Sequence, residues 1–175
     1  MDAGKPNVPI GTVRVDGTGT EMASNGVDVR SPETYLGWKR TEGYVGTPAI
    51  AADRATNYTE TVPRLNQWTL QGDWTVGGES ATLDNADGSI SYRLEARDLH
   101  LVMGTRDGKP VQFEVTVDGR PPGDAHGVDI DAEGRGSVSD HRLYQLVRQP
   151  GDAPIRLFKI RFLSPGVQAF AFTFG

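Results

Sequence analysis

Hydrophobic and polar residues alternate one by one along most of the chain from Leu65 onward. Successive side chains of a strand point to opposite faces of a sheet, so this alternation predicts strands with one buried and one exposed face. In the last alternating segment, Phe170, Phe172 and Phe174 are expected to share one face. The alternating segments are 89–96, 98–103, 111–119, 142–148, 155–163 and 167–175.

The segments between these strands are rich in Gly, Pro, Asn and Asp, which are turn residues. About eight to ten short strands at this spacing favour an all-β fold, a two-sheet antiparallel sandwich of the jelly-roll type. We assign residues 31–175 to this module. Residues 1–30 are polar, with one strand-like segment at 8–15, and are interpreted as a linker or an added edge strand. Ser31 followed by Pro32 predicts about one helical turn.

The segment WTLQGDWTV, residues 68–76, has two interpretations. If it is one continuous strand, Trp68 and Trp74 point the same way, into the core. If Gly72 and Asp73 form a hairpin turn or a bulge, the two indoles face opposite sides. Trp74 would then be exposed. An exposed indole beside polar groups is the smallest set of groups that can bind a carbohydrate, because the apolar face of a sugar ring stacks on the indole and the polar groups bind the sugar hydroxyls.

Charge and composition exclude several classes of function. The net charge is −5 and no Lys/Arg cluster occurs, so we expect no nucleic-acid partner. The chain has no cysteine, which excludes a thiol nucleophile and a redox Cys-x-x-Cys pair. No apolar run approaches the roughly 20 residues that cross a bilayer. Residues 1–10 lack the basic start and apolar core of a signal peptide.

Catalytic motifs with nucleophile, phosphate-binding or zinc-binding spacing are missing, so we expect no enzyme activity. His126, Asp129 and Asp131 form the best cation cluster. Calcium would suit their oxygen ligands, but it needs roughly six to eight and only two or three are visible. A solvated acidic loop is therefore favoured, and no cofactor is expected, with a structural calcium as the alternative. His100 and His141 are expected at the surface.

Several motifs together resemble the C-terminal module of DipZ-type proteins, which are bacterial cytochrome c biogenesis and thiol–disulfide proteins. They include the segment 31–37, the Trp68–Trp74 element, Glu79 and the terminal segment 165–175. The resemblance implies a β-sandwich similar to carbohydrate-binding, galactose-binding-like modules, in an extracytoplasmic setting beside a thioredoxin-like domain. Because this chain lacks cysteine, the redox activity of that family does not carry over.

We therefore expect a non-catalytic accessory module that binds a glycan or cell-wall polymer, or docks on its thioredoxin-like neighbour. The alternatives are a structural brace without a ligand and, third, a glycoside hydrolase, which would need two carboxylates facing each other across a cleft. The residues expected to bind the ligand are three wet aromatic side chains and three polar partners. They are Trp38, Trp74, Tyr144, Asp73, His126 and Asp129.

Overall fold

The computed structural model describes residues 31–175, which form eleven antiparallel strands and one short 3-10 helix, Gly123–Ala125. The predicted segment at 8–15 lies outside these residues. The all-β antiparallel class is confirmed. The strands are β1 Thr34–Tyr35, β2 Ala55–Tyr58, β3 Trp68–Val76, β4 Ala81–Leu83, β5 Ser89–Leu94, β6 Asp98–Thr105, β7 Val111–Val117, β8 Arg135–Val138, β9 Arg142–Arg148, β10 Arg156–Phe162 and β11 Val167–Phe174.

The strands form one curled sheet in the order β9-β6-β11-β4-β3-β5-β10-β7-β8, with β1 added to β11 and β2 added to β3. We call the strands from β9 to β3 the β11 half and those from β3 to β8 the β10 half. Rings from the two halves meet in the core: the centroid of Phe172 lies 5.1 Å from that of Tyr92 and 5.9 Å from that of Phe158. The curl therefore buries the inner face of each half against the other.

Strand β3 belongs to both halves. Residues 68–71 pair with β5, whereas residues beyond Gly72 pair with β2 and β4. Gly72 has a φ of 106°, which a residue with a side chain rarely adopts, and this marks the change of partner. The segment remains one strand, so the continuous interpretation is confirmed and the hairpin is wrong. Trp68 and Trp74 are both fully buried.

Phe170 does not share a face with Phe172 and Phe174. The register of β11 against β6 shifts between Ala169 and Ala171, which is a β-bulge. The extra residue reverses the alternation, so Phe172 is buried and stacks with Phe174, whereas Phe170 stacks on the ring of His141 at 4.4 Å.

The predicted helical turn after Ser31 is also wrong, because Thr34 and Tyr35 form β1 instead. The hydroxyl of Ser31 does not cap a helix. It donates to Asn66 Oδ1 at 2.7 Å and accepts the backbone N–H of Glu95 at 2.8 Å. Strand pairing of β1 with β11 satisfies the backbone groups that a helical turn would have satisfied locally.

Candidate functional site

Trp38 lies in the turn that follows β1 and exposes 40% of its surface, whereas the chain's other two tryptophans are fully buried. Its indole Nε1 donates to Asp53 Oδ1 at 3.1 Å, and its backbone N–H donates to the carbonyl of Gly77 at 2.9 Å. Asp53 is held in turn by its own N–H, which donates to Val76 at the end of β3. The exposed indole is therefore fixed on the end of a core strand.

Two glycines allow this turn to sit directly on the loop after β3. A Cβ on Gly37 would overlap the carbonyl oxygen of Gly78 and the backbone of Glu79. A Cβ on Gly78 would lie 2.8 Å from the Lys39 side chain. Because the two backbones touch, the positions of Trp38 and Lys39 are set by the sheet rather than by a free loop.

A shallow groove of about 160 Å³ runs along the same turn, and Gly37 and Lys39, the sequence neighbours of Trp38, line it, whereas Trp38 itself does not. The Arg40 guanidinium lies 3.6 Å from the centre of the Tyr35 ring, and the Tyr35 hydroxyl donates to Glu33 at 2.9 Å. Burial and the bond to Glu33 raise the pKa of Tyr35, so the group stays a neutral phenol. The lining residues are Tyr35, Gly37, Lys39, Arg40, Gly78 and Glu79.

The groove places the Tyr35 ring, covered on one face by Arg40, among charged hydrogen-bonding groups, and an aromatic ring beside such groups is a combination that can bind a sugar. The groove is smaller than the roughly 300–1,000 Å³ of sites that enclose a small molecule, so it suits one unit of a longer ligand. Its lining carries one carboxylate, Glu79, which lies 3.9 Å from Lys39 Nζ. The paired carboxylates of a glycoside hydrolase are not among these lining residues.

A family model described as the thioredoxin-like C-terminal domain matches residues 31–175. The chain belongs to this family. Its relatives include the protein DipZ of Mycobacterium bovis and that of Mycobacterium tuberculosis, each 30% identical over 95 residues. The match covers 49% of this chain and 13% of each DipZ protein, so the chain corresponds to a small part of those relatives. The resemblance to DipZ-type C-terminal modules is confirmed.

In this thioredoxin-like C-terminal domain, two of the three predicted aromatic contacts are not at the surface. Trp74 is fully buried, and its Nε1 donates to the carbonyl of Gln71 at 3.0 Å. Tyr144 is 1% exposed, and its hydroxyl donates to the carbonyl of Asp140 at 2.7 Å. The Arg142 guanidinium covers the Tyr144 ring at 3.8 Å. The expectation of wet rings at Trp74 and Tyr144 is therefore wrong, because strand packing and Arg142 cover them.

Asp73 does not line the groove but accepts hydrogen bonds from two amides. Asn57 Nδ2 lies 2.7 Å and Asn85 Nδ2 2.8 Å from its carboxylate oxygens. These two bonds hold the pKa of Asp73 below its usual value. The carboxylate is therefore an ionised acceptor on the outer surface of the sheet, separate from Trp38.

His126 and Asp129 also lie outside the groove, in the loop that pairs with the edge of β9. His126 Nδ1 lies 2.8 Å from the carbonyl oxygen of Gly127. Asp129 forms an ion pair with Arg142 at 3.0 Å and accepts the backbone N–H of Gln145 at 2.7 Å. Within residues 31–175, no three His, Asp or Glu side chains come close enough to hold a metal ion. Asp129 thus clamps the loop to the strand.

None of the six residues that line the groove was among the predicted ligand-binding residues, and Asp53 was not predicted either. The usable signal was the Gly77-Gly78 pair directly after a strand, since adjacent glycines at a strand end mark close backbone approach. Asp53 had no such signal, because its contact with Trp38 depends on the path of an irregular loop.

Proposed function

We propose that this chain is a non-catalytic accessory module of a DipZ-type protein and that it binds carbohydrate through Trp38 and the adjacent groove. The observation that carries the proposal is the exposed indole of Trp38, fixed by Asp53 at 3.1 Å in the turn whose neighbouring residues Gly37 and Lys39 line the groove. A fixed ring loses little conformational entropy when a sugar stacks on it. The charged groups in the groove are suited to accept and donate hydrogen bonds to sugar hydroxyls.

We also assign the curled sheet to the jelly-roll sandwich class, similar to carbohydrate-binding and galactose-binding modules. Support comes from the face-to-face packing of the two halves, in which Phe172 of β11 contacts Tyr92 of β5 and Phe158 of β10. Antiparallel strands packed on one another through their apolar faces are the common feature of this class.

The family and the DipZ relatives support a setting beside a thioredoxin-like domain, in the periplasm or cell envelope. The ligand there would be a glycan or a cell-wall polymer. Among residues 31–175, no helix has the length and hydrophobicity to cross a membrane. In this setting the module would hold its neighbouring domain near a polymer.

Titration of the whole chain with a glycan panel, followed by tryptophan emission, tests the proposal. Trp68 and Trp74 are fully buried, so a ligand-dependent change in emission would report on Trp38. We expect binding of at least one glycan to shift the emission. Because Trp38→Ala removes the reporter, its affinity is measured by isothermal titration calorimetry, and we expect no detectable binding.

Trp38→Phe is the matched control, since it keeps a stacking ring but loses the bond to Asp53, and it should retain part of the affinity. If no glycan binds the chain, or if Trp38→Ala binds like the unmodified protein, the carbohydrate proposal is wrong. The first result would favour the structural brace.

A further inference from the structure

The two outer faces of the curled sheet differ in charge. On the β10 half, Arg161 lies 2.6 Å from Asp87 and 3.0 Å from Glu114, and Lys159 lies 3.2 Å from Glu60. Glu114 is also paired in register with Arg135 of the neighbouring strand β8. This face is therefore a ladder of compensated charges, typical of a solvated surface.

The outer face of the β11 half carries rows of uncharged side chains across four strands. Residues paired in register point to the same side of a sheet, so Tyr35, Ala171, Val102 and Leu143 form one row. Thr173, His100 and Gln145 form the next. Ala171 is buried, and the other side chains of these rows are half-buried or exposed. We call this surface the β11 face, defined by Tyr35, Val102, Leu143, His100, Thr173 and Gln145.

Charged groups near these rows lie at their margin: Arg40 covers the Tyr35 ring at 3.6 Å, and the others form ion pairs. Asp98 lies 3.0 Å from Arg97 and 3.6 Å from Arg148, beyond the row of Thr173. Asp129, beside Gln145, is paired with Arg142. Depletion of charge at the centre with charged groups at the rim is the composition of a binding surface.

The bulge in β11 adds an aromatic ring to this face. Strict alternation would bury Phe170 with Phe172, but the bulge turns Phe170 outward, where it stacks on His141. His141 lies over the outer side of β6, since a Cβ on Gly104 would be 3.0 Å from the His141 Cα. Leaving a phenylalanine partly exposed forgoes the stabilisation that full burial would give. Bulges that re-aim a side chain are concentrated next to functional sites.

Tyr35 belongs both to the β11 face and to the groove beside Trp38, so the two surfaces are continuous. With strands about 4.8 Å apart, the row from Tyr35 to Leu143 spans roughly 14 Å. A ligand that reaches from the groove across this row must be extended and must cross the strands.

We propose that the β11 face binds an uncharged, linear polysaccharide that begins in the groove at Trp38 and runs across β1, β11, β6 and β9. The inference rests on the proposed function and extends it to the class of glycan. The hydroxyl of Thr173, the imidazole of His100 and the amide of Gln145 would bind sugar hydroxyls. Arg40 and His141 cover one face of the Tyr35 and Phe170 rings, so these rings would contact a sugar through the surface that remains exposed. Lys39 and Arg40 lie at the groove end, but beyond Tyr35 an acidic polymer would find no cation in the centre of these rows.

Calorimetric titration of the whole chain with neutral hexasaccharides (cellohexaose, maltohexaose and mannohexaose), the matching disaccharides and hexagalacturonate tests the inference. Gln145→Arg places a long cation in the β11 face, and Gln112→Arg places the same group on another exposed glutamine, in the β10 half. We expect one neutral hexasaccharide to bind at least tenfold more tightly than its disaccharide, and Gln145→Arg to lose that tenfold gain. Gln112→Arg should bind like the unmodified chain.

Three results would overturn the inference while leaving the carbohydrate proposal intact, provided that Trp38→Ala abolishes binding. They are equal affinity for disaccharide and hexasaccharide, tighter binding of hexagalacturonate, and unchanged hexasaccharide affinity in Gln145→Arg. The last result would mean that something other than a glycan covers this face. If the unmodified chain binds none of the sugars, the proposed function fails as well.

Discussion

Replacing Trp74 tests the division of roles between the buried and exposed tryptophans. Trp74 is fully buried, donates to the carbonyl of Gln71 at 3.0 Å and packs edge-on against Phe162 at 6.1 Å. Trp74→Ala removes a buried indole and leaves a cavity, so we expect the free energy of unfolding to fall by about 3–5 kcal/mol. For a folded part of this size, that loss corresponds to a decrease of roughly 6–20 °C in Tm.

Two further variants make the comparison specific. Trp74→Phe keeps most of the ring but leaves the Gln71 carbonyl without its donor, and we expect a loss of about 1–3 kcal/mol. Trp38→Ala removes an exposed ring, so its cost should stay at about 1 kcal/mol or less. Only Trp38→Ala should abolish glycan binding.

Urea denaturation followed by circular dichroism measures the stability of each variant without relying on the altered tryptophans. Calorimetry on the variants that remain folded measures glycan affinity. A loss below about 1 kcal/mol for Trp74→Ala would contradict the burial of this indole. If Trp74→Phe abolishes binding and Trp38→Ala does not, Trp38 is not the stacking residue.

Two further predictions concern the Asp129 clamp and the Gly37 turn. Burial alone would raise the pKa of Asp129, but its bonds to Arg142 and Gln145 lower it below 3.8, so ionised Asp129 stabilises the fold above that pH and loses this effect as the pH falls further. Asp129→Asn should therefore lower the unfolding free energy by about 1.5–3 kcal/mol at neutral pH. Urea titrations at decreasing pH should show the stability difference between the two proteins shrinking below pH 3.8. A stability difference that stays constant with pH would contradict the clamp. Gly37→Ala should lower the unfolding free energy by about 1–3 kcal/mol and weaken glycan binding, because the added Cβ overlaps the Gly78 carbonyl and displaces the Trp38 turn. If the urea midpoint and the glycan affinity of this variant are both unchanged, that contact is refuted.

The strands were predictable because, in a half-buried strand, every second side chain is apolar and faces the core. The segments 111–119 and 142–148, for example, contain β7 and β9. Phe170 was not predictable in this way, because residues 169–172 are all apolar and the sequence therefore does not show where the bulge reverses the alternation. Ser31 likewise carries a helix-start signal, but its hydroxyl is used by Asn66 and Glu95, which are distant in the sequence.

Of the predicted site, Trp38 is exposed as expected, whereas Trp74 and Tyr144 are not. Exposure of an aromatic ring depends on which group covers it, and for Tyr144 that group is Arg142, whose position follows from its ion pair with Asp129. The alternation of apolar and polar residues along one strand does not predict which side chain from elsewhere covers a ring. The continuous interpretation of residues 68–76 placed Trp74 correctly, since the pattern at even positions continues through Gly72.

The sharing of β3 between both halves has a consequence for how the molecule comes apart. If either half unfolded, one end of β3 would lose its paired strands. Trp68 lies at the end that pairs with β5, and Trp74 lies at the end that pairs with β4. Neither half is therefore a subunit that could melt by itself, and amide protons at both ends of the strand should exchange with solvent at one common, global rate.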